Sequence, residues 1–161
     1  MAIYLQAPGL RGNVTTKGYQ QWVALNDVEF PGIYRKVTIS SGRSHDRHIS
    51  QAEFGDITMS KDMDSSSCQW FDAAHSATPF ASVDIHYVTT GDPNFTFAKL
   101  RLTDALVTYY ADSMSTHGSM PLETIRLSYK TIERTFIPRG ASNAPESQQV
   151  TGFDLAQYQK M

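Results

Sequence analysis

The sequence predicts a mainly β fold, a small β-barrel of two packed sheets with one short α-helix. Most apolar residues alternate with polar ones or form short runs bounded by Gly and Pro, which is typical of strands. One stretch, around Trp70, has the three- and four-residue apolar spacing of an amphipathic helix. The apolar phase shifts between Tyr129 and Ile132, and such a shift requires the bulge or bend by which a sheet turns a barrel corner.

Length and composition indicate a single ordered domain over residues 1–161. A chain of 161 residues, 40% hydrophobic and 19% charged, has a globular composition. A chain of this size buries about 68–70% of the surface that its unfolded form exposes. The net charge of −2, with Lys and Arg scattered, gives no basic surface for nucleic acid. No stretch resembles a membrane span or a signal peptide, so we expect no nucleic-acid partner, no membrane insertion and no conventional export signal.

The first third of the chain predicts a series of short strands. Residues 2–6 are β-forming and are closed by a Pro-Gly turn. Residues 21–30 have apolar side chains at both odd and even positions, as expected for a strand covered on two sides or twisted at a barrel corner. Residues 33–39 alternate and predict a further strand with one exposed face, and residues 54–60 return to strand character.

A polar segment interrupts this series. Residues 40–48 contain no apolar residue, so they predict a loop, about 40–53, that projects from the barrel. Long loops in compact domains are disproportionately functional, which favours a docking arm at a subunit interface. The alternative is a solvated excursion. The candidate arm residues are Arg43, Ser44, His45, Asp46, Arg47 and His48.

The helix is predicted to begin at Asp64 or Ser65, either of which can cap it, and to run to about His75. Its predicted buried stripe consists of Cys68, Trp70, Phe71 and Ala74. Cys68 is the only cysteine, which excludes an intrachain disulfide and suits a reducing compartment. We expect it to be a small buried residue rather than a nucleophile, because a thiolate needs a nearby base.

The second half of the chain predicts longer strands. Residues 83–87 alternate, and the turn at 91–94 joins them to a strand beginning near Phe95, which together indicate a β-hairpin. Residues 100–110 continue this strand, and residues 125–129 form another. A stretch rich in Ser, Pro, Asn and Gln, within about 139–150, is predicted to be a mobile or docking segment.

The sequence gives no specific signal of catalysis. His45 and His48 supply at most two metal ligands, and the nucleophile-elbow, P-loop and dinucleotide-binding glycine motifs are missing. Asp84, Asp104 and Glu123 could in principle pair for acid–base chemistry, but neither their spacing nor their context singles out a pair. We therefore predict no catalytic residue, no metal site and no cofactor.

An ordered series of short segments spans nearly the whole chain: Met1 to Leu5, Gly12 to Thr15, Lys17-Gly18-Tyr19 with Trp22, Lys61 to Ser66, Asp104 to Val107, Leu127-Ser128-Tyr129 with Ile132, and Gly152 to Leu155. This series resembles the Hcp family, whose ring-forming proteins build the inner tube of type VI secretion systems. The chain departs from the family pattern at Cys68, where Pro is usual, and at Phe30-Pro31-Gly32, where a Trp/Gly-rich pattern is common.

The resemblance implies one barrel domain that forms a homohexameric ring, stacks into a tube and is expelled by a contractile sheath. The partners it implies are copies of the same chain, the sheath, the spike protein and secreted effectors, which the ring lumen carries or protects. It implies no enzyme activity, assembly in the cytoplasm and secretion through the apparatus without a signal peptide. The residues leave open a monomeric ligand-binding β-barrel, with Trp22, Tyr109 and Tyr110 lining its pocket. A hydrolase using unrecognised carboxylates is a third class.

Overall fold

The computed structural model describes residues 1–39, 47–140 and 144–161. Within these ranges it contains one helix, α1 (Ser67–Ser76), and fourteen strands. The strands are β1 (Ala2–Gln6), β2 (Val23–Leu25), β3 (Asp27–Glu29), β4 (Ile33–Tyr34), β5 (Val37–Ile39), β6 (Arg47–Ile49), β7 (Glu53–Phe54), β8 (Ile57–Asp62), β9 (Phe80–Thr89), β10 (Phe95–Ser113), β11 (Leu122–Ser128), β12 (Thr131–Phe136), β13 (Gln149–Asp154) and β14 (Gln159–Lys160).

Two sheets form the barrel, and the long strand β10 belongs to both. Its first part pairs with β9 and β12, and its last part pairs with β11. The strand turns the corner at Asp104, whose φ is 50°, and its register on β11 shifts between Val107 and Tyr109. Such irregularities bend a strand and let it pass from one sheet to the other.

A second corner lies between β2 and β3. β2 pairs with β1 in one sheet, whereas β3 pairs with β8 in the other. At the intervening residue, the backbone N–H of Asn26 donates to the backbone carbonyl of Ser60 at 2.8 Å. The ladder order β1, β2/β3, β8, β11, β10, β9 therefore returns to β1 and closes the barrel, while β12, β13 and β14 extend one sheet beyond it. The predicted fold class is confirmed, and the predicted phase shift separates β11 from β12.

The single strand predicted over residues 33–39 is wrong, because β4 and β5 are separate strands. Between them the ladder is interrupted, since the Lys36 amide donates to the Ser50 side-chain Oγ at 2.8 Å. The predicted strand 54–60 is likewise divided into β7 and β8. Gly55 lies at that division, where a Cβ atom would come within 2.3 Å of the Pro31 Cγ atom. This close approach requires glycine.

The core lies between the two sheets and the helix. Leu5, Val23, Ile85 and Leu102 come from the first sheet and its corner, and each is fully buried. Trp70, also fully buried, projects from α1, and its ring meets Phe80 edge to face at 5.3 Å between centroids. The interior is thus filled with side chains.

The segment predicted to be mobile or docking is described in part, since residues 141–143 lie outside the described ranges. On either side of them, Arg139 forms an isolated bridge with Pro145, and the Gly140 amide donates to the Ala144 carbonyl at 2.9 Å. The predicted role of this segment stays a prediction.

Candidate assembly surfaces

A hairpin arm, residues 33–39 and 47–54, leaves the barrel between β3 and β8. It is built by the pairing of β4 with β7 and of β5 with β6. Val37, Ile39 and Ile49 are 52%, 62% and 62% exposed. Val37 lies opposite Ile49 in the ladder, and directly opposed residues share a face, as do residues two apart along a strand. These three side chains therefore form an apolar strip with no cover within the described part of the chain.

The structure describes two of the six predicted arm residues. Arg43, Ser44, His45 and Asp46 lie outside the described residues. Arg47 lies opposite Ile39, on the face of the apolar strip, whereas His48 lies opposite Thr38 on the other face. Residues 47–49 are paired in a strand, where the sequence predicted an irregular polar loop.

The sequence reasoning missed the apolar strip itself. The signal is the alternation of residues 33–39, but this pattern by itself predicts only a strand with one exposed face. Alternation shows that one face of a strand differs from the other, and it does not show whether the apolar face meets the core of the same chain or another molecule. The strip is therefore visible only once the strands are placed.

An apolar groove lies at the base of the arm, and we call it the basal groove. Its volume is about 430 Å³, and its apolar lining is Phe30, Ile33, Phe54, Ile132 and Phe153. The rings of Phe54 and Phe153 stack at 5.0 Å between centroids. The groove thus combines a wide aromatic floor with an open mouth.

Two cationic side chains, Arg134 and Lys160, line the basal groove beside its apolar floor. The Arg134 guanidinium lies 5.5 Å from the centroid of the Phe30 ring, within the range of a cation–π contact. Neither cation forms a salt bridge with a carboxylate in the part of the chain that the structure describes. The groove therefore suits a ligand in which an apolar group lies next to a negatively charged group.

Helix α1 presents an exposed face beside the barrel. Its buried residues are Ser67, Trp70 and Ala73. The prediction that Cys68 and Phe71 are buried is wrong: Cys68 is exposed and Phe71 is 58% exposed. The buried stripe follows the three-residue steps from Ser67, and at about 100° per residue Cys68 and Phe71 each lie one position beyond it. The Phe71 ring remains anchored edge to face against the Tyr110 ring, at 5.9 Å.

A buried ion pair joins this helix to the sheet. Lys61 of β8 and Glu123 of β11 are opposed in the ladder, both are fully buried, and their side chains are in direct contact. The Glu123 carboxylate also accepts hydrogen bonds from the hydroxyls of Ser67, at 3.0 Å, and Tyr110, at 2.6 Å. The Lys61 ammonium contacts Asp64 Oδ1 at 2.9 Å. Burial, together with the Glu123 hydrogen bond, raises the pKa of Tyr110.

A second polar cluster lies on the first sheet, around His86. The Tyr19 hydroxyl lies 3.2 Å from His86 Nδ1, and the Trp22 and His86 rings lie 4.8 Å apart. Burial, together with the smaller effect of the Lys99 charge, lowers the pKa of His86 from 6.5 to about 4, while the Asp84 charge opposes this shift. The folded protein thus keeps this imidazole neutral above that pH.

The His86 shift predicts acid sensitivity. Between about pH 6.5 and 4 the unfolded chain protonates His86 and the folded chain does not, so the free energy of unfolding falls as pH decreases through this window. We expect the loss of stability between about pH 7 and pH 5 to be smaller in His86→Gln than in the wild type, as measured by urea denaturation. An identical loss in both proteins would contradict the assignment.

The aromatic residues of the ligand-binding alternative do not line one pocket. Trp22 lies with His86 in a depression on the first sheet, whereas Tyr109 and Tyr110 border a different depression beside α1. Glu123 pairs with Lys61, and Asp84 pairs with Arg101 at 2.9 Å, so these two carboxylates have different partners and do not pair with each other for acid–base chemistry.

In the described ranges, no helix is long and apolar enough to cross a membrane, and no group of three His, Cys, Asp or Glu could hold a metal ion.

In the described residues, a closed β-barrel carries one helix, an arm with an exposed apolar strip and a second apolar groove, and exposed apolar surfaces of this kind are typical of the class of proteins that bind other chains. The chain belongs to the Hcp family, because the protein-family model described as "Type VI secretion system effector, Hcp" matches residues 4–136 of its sequence. The family is one of structural, secreted tube proteins. The resemblance noted in the sequence is thereby confirmed.

Solved structures share the fold over nearly the whole chain. A type six secretion system protein is 22% identical, with a TM-score of 0.91 over 99% of each chain. Hcp1 from Salmonella typhimurium is 17% identical, with a TM-score of 0.77 over 99% of this chain and 98% of its own. A type VI secretion system effector from Yersinia pestis is 12% identical, with a TM-score of 0.73 over 95% and 99%. No curated protein matches the sequence.

Proposed function

We propose that this Hcp protein is the subunit of a homohexameric ring, and that the rings stack into the inner tube of a type VI secretion system. The rings assemble in the cytoplasm, are propelled by the contractile sheath together with the spike protein, and leave the cell through the apparatus. The lumen carries or protects effector proteins. The protein acts through these contacts and not as an enzyme.

The observation that carries this proposal is the apolar strip of the arm. Val37, Ile39 and Ile49 are more than half exposed, and because full burial of such a side chain contributes about 1.5–3 kcal/mol, covering the exposed part of each contributes roughly half of that. A partner surface can supply this burial without disturbing the core, because the arm projects from the barrel. In a tube of identical subunits, that partner is a second copy of the chain.

The position of Arg47 refines the predicted arm contact. Its side chain shares the face of Ile39, so the arm presents a cation beside an apolar strip instead of a wholly polar surface. The remaining candidates Arg43, Ser44, His45 and Asp46 continue the arm in sequence, and we propose that they belong to the same contact. Apolar burial then supplies most of the affinity, and the charges set its orientation.

Placing carboxylates on the strip tests the arm. We expect Ile39→Asp combined with Ile49→Asp to abolish stacked tubes in electron micrographs, because two charges would have to be buried at the contact. The barrel should keep its circular dichroism spectrum and its thermal midpoint within a few degrees, since both side chains are exposed.

The matched control adds the same charges to the other face of the same strands, with Thr38→Asp and His48→Asp. Tubes should persist in this variant. Equal loss of tubes in both variants would show that the strip has no special role in assembly.

A further inference from the structure

We infer that neighbouring copies within the ring meet through Phe71 and Asp72 of one copy, which enter the basal groove of the next. This inference rests on the proposed ring and names the two surfaces that form its lateral contact. The helix face and the basal groove share no residue, so every copy can present its helix face to one neighbour and its groove to the other. A contact between two different patches is heterologous and generates a ring when its rotation closes.

The helix side of this contact is an exposed aromatic ring beside an exposed carboxylate. Phe71 is 58% exposed, and the Asp72 side chain is 75% exposed. On the same helix, His75 Nε2 lies 3.2 Å from Asp72 Oδ1, and the His75 side chain is itself 60% exposed. Neither Phe71 nor Asp72 contributes to the core, so their chemistry is available to another molecule.

The groove side has the complementary chemistry. Its floor is aromatic and aliphatic, its volume of about 430 Å³ admits an aromatic side chain, and its two cations have no carboxylate partner among the described residues. An aromatic ring on the Phe54 and Phe153 stack would bring the adjacent Asp72 carboxylate toward Arg134 and Lys160. Aromatic anchors paired with charge in a desolvated pocket are the usual hot spots of interfaces.

The arm of a second copy fits the groove less well. Arg47 lies on the same face as the apolar strip, and it would enter a groove that already holds Arg134 and Lys160. Like charges brought together at a contact oppose association. The charge pattern therefore favours the helix face as the occupant, and it leaves the arm free for the stacking contact.

Cys68 supplies a direct test, because it is the only cysteine, it is exposed, and it lies one helical turn before Asp72 on the same face. We would introduce Thr151→Cys, which places a second thiol in the groove and keeps both cations. A short bis-maleimide added to this variant should produce a ladder of covalent oligomers up to the size of the ring. The ladder should vanish when Cys68→Ser is added.

The control variant carries Asp92→Cys instead, at an exposed turn between β9 and β10. It should give no ladder under the same conditions. Rings that form in solution but give no ladder with Thr151→Cys, or the same ladder with Asp92→Cys, would overturn the inference. A wild type that forms no rings would instead overturn the proposed function.

Charge reversal provides an independent test. Asp72→Arg should weaken ring association at least about tenfold by light scattering across a dilution series, and Lys160→Asp should do the same. The double variant should regain most of the loss, because the two charges are exchanged. Asp92→Arg serves as the control and should associate like the wild type. Failure of the double variant to recover would overturn the pairing of Asp72 with the groove.

Discussion

Replacing Lys61 with methionine is expected to lower the free energy of unfolding by about 3–5 kcal/mol. Methionine is unbranched like lysine and one heavy atom shorter, so the substitution keeps most of the packing but leaves the Glu123 carboxylate buried without its cation. The hydroxyls of Ser67 and Tyr110 still donate hydrogen bonds to the carboxylate, but they carry no opposite charge, so most of its desolvation cost is no longer offset. The helix and two strands meet at this point, so the loss should appear in the global transition.

Urea denaturation of Lys61→Met and of Lys61→Met with Glu123→Gln measures this effect. The double variant removes both charges and keeps acceptor and donor atoms near Ser67 and Tyr110, so we expect it to recover much of the lost stability. Arg101→Met is the matched control, because it breaks the Arg101–Asp84 pair, whose side chains are 55% and 28% exposed. That loss should stay within about 1 kcal/mol. Equal losses from Lys61→Met and Arg101→Met would contradict the role of burial.

Replacing Trp70 with alanine should cost about 3–5 kcal/mol, because it empties a fully buried site between α1 and the barrel. The next residue gives the control. Phe71→Ala removes another aromatic ring from the same turn of the helix, but Phe71 is 58% exposed and packs edge to face on Tyr110, so its loss should lower the stability of the single chain by only about 1 kcal/mol.

The comparison of Trp70→Ala with Phe71→Ala separates folding from assembly. Unfolding should be followed at a protein concentration at which rings have dissociated, since association would otherwise add to the apparent stability. Phe71→Ala should then weaken the ring and spare the fold, whereas Trp70→Ala should weaken the fold itself. A large loss of single-chain stability in Phe71→Ala would mean that this ring is part of the core.

The barrel could be predicted from the sequence because its signals are local. Alternation along β9 and β11 and the turn between β9 and β10 are set by neighbouring residues, and the phase shift after Tyr129 marks the corner. The predicted start of the helix lies two or three residues before the observed one, and the predicted buried stripe is too broad. A stripe of apolar residues on a short helix has more than one candidate centre, and the sheet on which it packs decides between them.

The candidate surfaces depend on contacts that the sequence does not display. Lys61 and Glu123 are separated by 62 residues, and only the pairing of β8 with β11 brings them together. The basal groove combines Phe30, Phe54 and Phe153 from three separate regions of the chain. The apolar strip of the arm looks like any alternating strand until its face is seen to be bare. Local patterns thus identified the family and the architecture, whereas the surfaces required the fold.

The most direct test of the whole account is the mass of the purified protein, measured by native mass spectrometry with electron microscopy of the same sample. We predict a species of six chains that forms annular particles and stacks at higher concentration. A single 18.0 kDa chain at every concentration, with no annular particles, would contradict the account.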